Sequence, residues 1–315
     1  MNAAAGLDLS YDDAQQAIAD SVAQFCRDRC GDAVVRAAAE RFPTELWRGL
    51  ADLGVLALAT PEGEGGALEV TAAMESRGRA AHPGPLAGTF LATQLLPDAE
   101  RQALVSGEAL VAVGEPPLLA FAPGASVWIE LAGGEAHLCE PGAAVEPVET
   151  LGGEPWGRVP LVRRLPLGDS GRASALGDLA LAAYLAAAGR RMVEDAAAHA
   201  RARRQFGRPI AEFQAVSHPL ADAAIGLDAA ATLARVAAWS WDARAGEAPR
   251  LAGAARLSAA RCAVRAAHVA HQAFGAQGVM RDGPAFAVSR RIRHLAAATP
   301  GAEAAREELL GALAL

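Results

Sequence analysis

The first part of the chain repeats apolar residues every three or four positions, the period of an α-helix with one buried face. Between Tyr11 and Cys30 the apolar positions are Ala14, Ile18, Val22 and Phe25. A second segment opens at Pro43 and stops at Gly54, a residue type that commonly ends a helix. The pattern predicts an N-terminal helical domain over residues 1–107.

The pattern changes near Glu108. Short apolar or alternating runs follow, separated by glycine and proline, as is typical of small β-strands joined by turns. The runs occupy residues 110–113, 126–131 and 136–138. About sixty residues are enough for a reduced sheet and too few for a full barrel. We therefore expect a shortened β-domain over residues 108–170, with its later strands largely lost.

Helical periodicity returns near Leu176 and continues to the end of the chain. The predicted helices span about 176–204, 211–245, 252–274 and 286–298. Long helices joined by short turns predict an antiparallel bundle, here over residues 171–315. The fold class is therefore mostly α with a small β-domain between two helical domains.

Composition and charge argue against several classes of function. A net charge of −7 argues against a nucleic-acid binder. No apolar run approaches the roughly 20 residues that span a bilayer, and the first eleven residues do not resemble a secretion signal. The four cysteines suit reduced cytosolic thiols, so we expect a cytoplasmic protein. Cys26 and Cys30 lie one helical turn apart, and we interpret them as core residues rather than metal ligands.

Basic residues concentrate in one stretch of this acidic chain. Between Ala248 and Ala302 the only acid is Asp282. The arginines there are Arg250, Arg256, Arg261, Arg265, Arg281, Arg290, Arg291 and Arg293. Such a surface indicates a phosphorylated small ligand or an acidic partner, with a solvated helix face as the alternative.

Three motifs resemble the acyl-CoA dehydrogenase family. They are PTELW with LGV at residues 43–47 and 53–55, RRQFGRPI at 203–210, and QAFGAQG at 272–278. Helices, a small β-domain and a helical bundle follow each other in the same order in that family. The resemblance implies the family fold, an FAD cofactor and an acyl-CoA substrate, and by analogy an electron-transfer flavoprotein as electron acceptor.

The resemblance implies that two of these motifs hold the adenine half of a flavin carried by a neighbouring subunit. The expected cofactor-binding residues are Arg203, Gln205, Phe206, Gln272, Gly275, Ala276 and Gly278. A guanidinium can neutralise a pyrophosphate with directed hydrogen bonds, and a glycine turn lets backbone amides approach a ligand. The alternatives are an ordinary basic helix end at Arg203 and a plain helix stop at Gly275.

The glutamate that serves as catalytic base in this family has no counterpart here. Relatives remove a proton from the acyl Cα while a hydride leaves Cβ, which requires a carboxylate within reach. The matching position after the last bundle helix is Pro300, and the alternative position used by some relatives on a preceding long helix is Arg261. Neither can accept that proton, so no catalytic residue is assigned. Glu303 is the fallback base, while Asp282 matches a structural acid.

Two further features of the resemblance bear on the site. The family places a Thr-Glu-Pro turn against the flavin ring, and only GEPP at residues 114–117 echoes it, without the hydroxyl. The spacing of Arg261, Arg265, His268 and Gln272 puts them on one helix face. An arginine inside a would-be substrate pocket would block acyl binding or pair with a carboxylate across an interface, and a solvated stripe is the alternative. His268 and His271 lack carboxylate companions, so no metal site is expected.

These expectations combine into one hypothesis with two alternatives. Some bacterial relatives that act on steroid side-chain CoA thioesters work as unlike paired chains. The resemblance therefore implies the base-lacking chain of an α2β2 heterotetramer, whose homologous partner carries the catalytic Glu. The alternatives are a self-sufficient homotetrameric dehydrogenase with an unusual base, and a non-catalytic scaffold or regulatory subunit without flavin.

Overall fold

The computed structural model describes residues 9–38, 42–150 and 152–297. Within these ranges six helices precede the first strand. They are α1 (Asp13–Arg29), α2 (Asp32–Ala37), α3 (Thr44–Asp52), α4 (Ala67–Arg79), α5 (Leu86–Thr93) and α6 (Asp98–Val105). Gly54 adopts a left-handed conformation with φ of 74° directly after α3, which confirms it as the stop of that helix.

Seven strands follow α6 and form two sheets. The strands are β1 (Val111–Gly114), β2 (Leu118–Ala120), β3 (Val127–Ala132), β4 (Glu135–Pro141), β5 (Glu146–Val148), β6 (Trp156–Arg158) and β7 (Leu161–Asp169). One sheet has the order β1-β3-β4-β7, with β1 and β3 parallel and the other pairs antiparallel. The other has the order β2-β6-β5 and is antiparallel throughout.

The side chains of β3 alternate between two cores, which shows what the β-domain packs against. Val127 and Ile129 join a core shared with α5 and α6, whereas Trp128 points to the opposite side and packs between the two sheets. Successive side chains of a strand face opposite sides, so a strand covered on both faces buries every residue. The four-stranded sheet is thereby fixed between the N-terminal helices and the smaller sheet.

The expectation that the later strands are largely lost does not hold for β7, which is nine residues long. Most of its side chains are exposed, so it lacks the apolar alternation that reveals a half-buried strand. Backbone pairing with β4 holds it in the sheet, and surface ion pairs join Arg163 to Glu130 at 2.6 Å and Arg164 to Glu140 at 2.5 Å.

The C-terminal part is a bundle built around one central helix. Its helices are α7 (Gly171–Ala202), α8 (Gln214–Asp242), α9 (Ala248–Phe274), the single turn α10 (Ala276–Val279) and α11 (Phe286–Ala297). Helix α7 packs against α4, α8, α9 and α11. The predicted order of N-terminal helices, reduced β-domain and helical bundle is thus confirmed. No described helix combines the length and hydropathy needed to cross a membrane.

Small residues allow these helices to approach closely. A Cβ on Gly189 of α7 would lie 3.1 Å from the Cα atom of Ala263 on α9. A Cβ on Gly78 of α4 would lie 2.2 Å from the carbonyl oxygen of Tyr184 on α7. Cys26 and Cys30 are buried in the same core, where burial raises their thiol pKa values to about 12 and about 11.

The substitution Gly78→Ala tests this packing. Alanine favours a helix by about 1 kcal/mol over glycine, but the added methyl group must push α4 away from α7. We expect the free energy of unfolding to fall by about 1–3 kcal/mol, measured by urea denaturation. Gly246→Ala is the control, because a Cβ there meets no atom within 4 Å. Unchanged stability of Gly78→Ala would contradict the close approach.

Candidate functional site

A tight hairpin follows α7 and presents the first predicted cofactor motif. Its strands are β8 (Arg204–Gln205) and β9 (Arg208–Pro209), and the Ile210 amide donates to the Arg203 carbonyl oxygen at 2.8 Å. Phe206 and Gly207 form the turn with φ values of 52° and 81°. Two consecutive positive φ values are typical of a two-residue hairpin turn. The turn holds the Phe206 ring 93% exposed, with its edge-to-face contact to the Phe213 ring at a centroid distance of 6.1 Å.

The surroundings of this hairpin are basic. Arg201, Arg203, Arg204 and Arg208 are all exposed. None of them lies within ion-pair distance of a carboxylate in the described part of the chain. The Arg208 guanidinium stacks 4.1 Å from the Phe213 ring centroid, which orients it along the surface. The hairpin therefore offers free cationic donors beside one exposed aromatic ring.

The second predicted motif is the turn between α9 and α10. Gly275 has φ of 61°, a left-handed conformation, and a Cβ there would meet no atom within 4 Å. A Cβ on Gly278 would lie 3.0 Å from the Phe274 Cβ atom and 3.1 Å from the His271 carbonyl oxygen. Glycine at 275 is thus required by the backbone, and glycine at 278 by the tight turn. Gln272 and Ala276 are exposed beside it.

The structure brings the two motifs together at one end of the bundle. The rings of His199 on α7 and Phe274 on α9 lie 5.1 Å apart, so α7 and α9 end side by side. At their other ends Arg256 of α9 lies 3.6 Å from Asp178 of α7, which shows that the two helices run parallel. Val279 and Met280, 70% and 51% exposed, add apolar surface just beyond the glycine turn.

A cavity of about 750 Å³ lies elsewhere, where the N-terminal helices, the β-domain and the bundle meet. Its apolar walls include Met74, Leu86, Leu91, Leu119 and Leu181. Gly114 and Glu115 also line it, so the turn that echoes the family's Thr-Glu-Pro motif does face this space. The volume is within the range of about 300–1,000 Å³ that small-molecule pockets occupy.

One wall of the cavity is a buried polar network. Arg291 of α11 forms a close ion pair with Glu154 and donates to the Tyr184 hydroxyl oxygen at 2.5 Å. The Tyr184 hydroxyl donates to the His82 carbonyl oxygen at 3.1 Å. The His294 Nε2 atom accepts from the Trp156 indole at 3.1 Å and lies 3.4 Å from Glu154. The network joins the N-terminal domain, the β-domain and the bundle.

Two carboxylates in the cavity wall were not predicted from the sequence. Burial acts to raise the pKa of Glu154, but Arg291 and His294 together outweigh it and leave that pKa below its usual value. Glu154 is therefore a fixed carboxylate engaged by Arg291. Burial raises the pKa of Asp178, and Arg256 at 3.6 Å only partly opposes this. Asp178 is an acid within an apolar stretch of α7, and this signal could have identified it from the sequence.

Of the predicted base positions, the two in the described part of the chain do not line this cavity. Arg261 is exposed on α9 and does not line the cavity, so it does not occupy the acyl site of its own chain. Asp282 is exposed as well, and its carbonyl oxygen lies 3.4 Å from Arg36. Pro300 and Glu303 lie outside the described residues.

The stripe predicted on α9 is present and exposed. Arg261, Arg265, His268 and Gln272 all lie at the surface, and Arg265 is 3.7 Å from Asp222 of α8. Burial, then Arg293, lowers the pKa of His271, which is half-buried. Within the described residues no group of three or more His, Cys, Asp or Glu side chains is placed to hold a metal ion.

The end of the bundle carries groups that can bind a negatively charged, aromatic ligand. Free guanidinium groups suit a pyrophosphate, the exposed Phe206 ring offers a stacking surface, and the open face at Gly275 admits close contact with backbone amides. Arg203 and Gln272 supply side-chain hydrogen-bonding groups on the two sides of this surface.

Comparison with known proteins places the chain in a family. The N-terminal domain model of acyl-CoA dehydrogenase matches residues 12–96, and the C-terminal domain model matches residues 175–310. The acyl-CoA dehydrogenase IpdE2 of Mycobacterium tuberculosis is 30% identical over 273 residues, which cover 80% of this chain and 82% of IpdE2.

Solved structures share the fold. One chain of the ChsE4–ChsE5 complex from Mycobacterium tuberculosis superposes with a TM-score of 0.83 at 24% identity, covering 98% of this chain and 99% of that one. A Mycobacterium smegmatis glutaryl-CoA dehydrogenase in complex with FADH2 gives 0.79 at 16% identity, covering 96% and 95%. The predicted cofactor, FAD, is confirmed by the family. The chain belongs to the acyl-CoA dehydrogenase family, whose members are FAD-dependent oxidoreductases.

Proposed function

We propose that this chain is the base-lacking subunit of an α2β2 acyl-CoA dehydrogenase and completes the FAD site of a homologous partner that carries the catalytic Glu. The observation that carries the proposal is the separation of two sites on one chain. The cavity lies along the first half of α7 and the basic hairpin follows its last turn, and we assign one half of a flavin site to each.

The length of α7 gives an estimate of the distance between the two sites. Asp178 lines the cavity and Arg203 ends the helix. At about 1.5 Å per residue the two lie roughly 37 Å apart, and Tyr184, the last residue of α7 that lines the cavity, lies roughly 28 Å from Arg203. One cofactor cannot lie in the cavity and also reach Arg203 of the same chain. The hairpin and the glycine turn therefore serve a cofactor seated in another subunit.

The chemistry of the cavity supports an unlike partner. When bound, FAD accepts the hydride that leaves the acyl Cβ. The accompanying proton needs a free carboxylate, and Glu154 is already engaged by Arg291. A partner with the usual glutamate would supply that base, while Arg203, Phe206 and Gln272 of this chain would hold and orient the cofactor. The ChsE4–ChsE5 complex, similar in fold and in chain length, is a precedent for two unlike chains.

One observation favours the self-sufficient alternative. Asp178 lines the cavity, and burial raises its pKa toward that of an effective base. Its pairing with Arg256 is longer than that of Glu154 with Arg291. In that case the chain would form a homotetramer and use Asp178, rather than a partner's Glu, to remove the Cα proton. The proposed acyl-CoA substrate and electron-transfer flavoprotein are the same in both cases.

Removal of the Arg203 guanidinium in the co-purified complex tests the role of the hairpin. A hydrogen bond to a charged group contributes about 1.5–3 kcal/mol, so Arg203→Ala should weaken FAD binding roughly 10- to 100-fold. FAD affinity is measured by titrating the apo complex and following flavin fluorescence. Arg48→Ala is the control, because Arg48 is an exposed arginine of α3 that forms only a 3.9 Å pair. Equal FAD affinity in both variants would contradict the proposal.

The substitution Asp178→Asn separates the two functions. Our proposal predicts that turnover of the complex changes less than about twofold, because a positioned base contributes about 10²- to 10⁴-fold and this residue is not the base. The measurement is acyl-CoA-dependent reduction of an electron acceptor, with thermal unfolding as the check on folding. A fall of 10²-fold or more in a folded variant would support the self-sufficient alternative.

A further inference from the structure

Arg77 of α4 lines the cavity and is only 1% exposed. Its Nη2 atom donates to the Pro83 carbonyl oxygen at 2.9 Å and contacts the His82 ring nitrogen Nδ1, while Nη1 lies 3.9 Å from the Met74 sulfur. The Nε atom has no hydrogen-bond partner in the described structure. No carboxylate of the described residues lies within ion-pair distance of Arg77.

His82 adds a second unsatisfied polar atom to the same wall. The residue is 1% exposed, and its Nδ1 atom lies 2.7 Å from the Pro83 carbonyl oxygen. Its Nε2 atom is buried and has no hydrogen-bond partner among the described residues. Burial, then the charge of Arg77, holds the pKa of His82 well below its usual value, so the ring is neutral at neutral pH.

The other arginines of the cavity differ from Arg77. Arg256 lies 3.6 Å from the Asp178 carboxylate, and Arg291 is paired with Glu154. Both carboxylates in the buried wall are therefore already matched to a cation. Arg77 is the arginine of this wall whose charge has no counterion in the described part of the chain.

An unpaired buried charge opposes folding, because it loses its hydration without gaining an ionic partner. Burial lowers the pKa of Arg77 to about 10, so the guanidinium still carries its charge at neutral pH. A methionine or leucine at this position would fill the same space without that cost. An anion that enters the cavity would supply the missing counterion and use the free donors.

We propose that the cavity of this chain binds a carboxylate attached to an apolar body, with the Arg77 guanidinium as the recognition group and His82 beside it. The apolar walls would accept the hydrocarbon part, and the buried cation would accept the anionic end. The ligand is a free carboxylic acid or the far end of an acyl thioester. The proposal concerns a site within one chain, so it stands or falls independently of the partner proposed above.

Binding to the full chain tests the ligand class by isothermal titration calorimetry. The free-acid arm compares octanoate with octanamide, and the thioester arm compares adipoyl-CoA with hexanoyl-CoA, with CoA alone as reference. We expect the carboxylate of at least one arm to bind at least tenfold more tightly than its neutral match. Preference in the first arm identifies a free acid, and preference in the second identifies a thioester. No preference in either arm overturns the proposal.

Substitution separates recognition from a structural role. Arg77→Met should abolish the preference for the carboxylate and leave the neutral match bound as before, with an unliganded Tm equal to or above that of the unsubstituted chain. Arg79→Met is the control, because Arg79 lies on the same helix but is exposed and paired with Glu194. It should keep the preference.

Arg77→Lys keeps a cation in the cavity and should retain most of the preference, which makes the test independent of whether Arg77→Met folds. A structural arginine gives a different pattern. Arg77→Met would then lower Tm, and the affinities for the carboxylate and its neutral match would fall together. That outcome, or loss of carboxylate preference in Arg79→Met, would overturn the proposal.

Discussion

The close packing of α7 at the centre of the molecule is the constraint on which the rest depends. Gly78 of α4 fits against the Tyr184 carbonyl oxygen, and Gly189 lies close to Leu227 of α8 and Ala263 of α9, so this long helix packs tightly against its neighbours. A continuous helix of 32 residues sets the distance between the groups that lie along it. The cavity lies along its first half and the basic hairpin follows its last turn, so the two sites are far apart on one chain.

The two ends of α7 differ in how their charges are balanced. At the hairpin end Arg203 and its neighbours are exposed and without carboxylate partners in the described chain, so they remain available to a negatively charged ligand. At the cavity end Arg256 and Arg291 are matched by Asp178 and Glu154. The two acids of the buried cavity wall are thus both paired with arginines.

Much of the fold could be predicted from local pattern. Helical periodicity identified the long helices, and alternation around Trp128 identified β3, because both patterns reflect burial of one face or both. Strand β7 was not predicted, since most of its side chains are exposed and backbone pairing with β4 holds it in the sheet. Its partners lie on other strands, and a single sequence does not reveal such pairings.

The two sites also differ in whether local sequence could predict them. The hairpin at Arg203 and the glycine turn at Gly275 are contiguous motifs, and the structure places them side by side as the sequence indicated. The polar wall of the cavity is built from residues far apart in the chain, such as Glu154 and Arg291, so no local motif predicts it. Counting along the sequence placed Arg261 at the family's alternative base position. The packing of α9 leaves its side chain exposed and away from the cavity of its own chain.

Native mass spectrometry of this chain, purified alone and after co-expression with a homologous chain that carries the catalytic glutamate, tests the central claim most directly. The account predicts a four-chain assembly of two unlike subunits with two FAD molecules, and no FAD retained by this chain alone. A homotetramer of this chain that retains one FAD per subunit would contradict it.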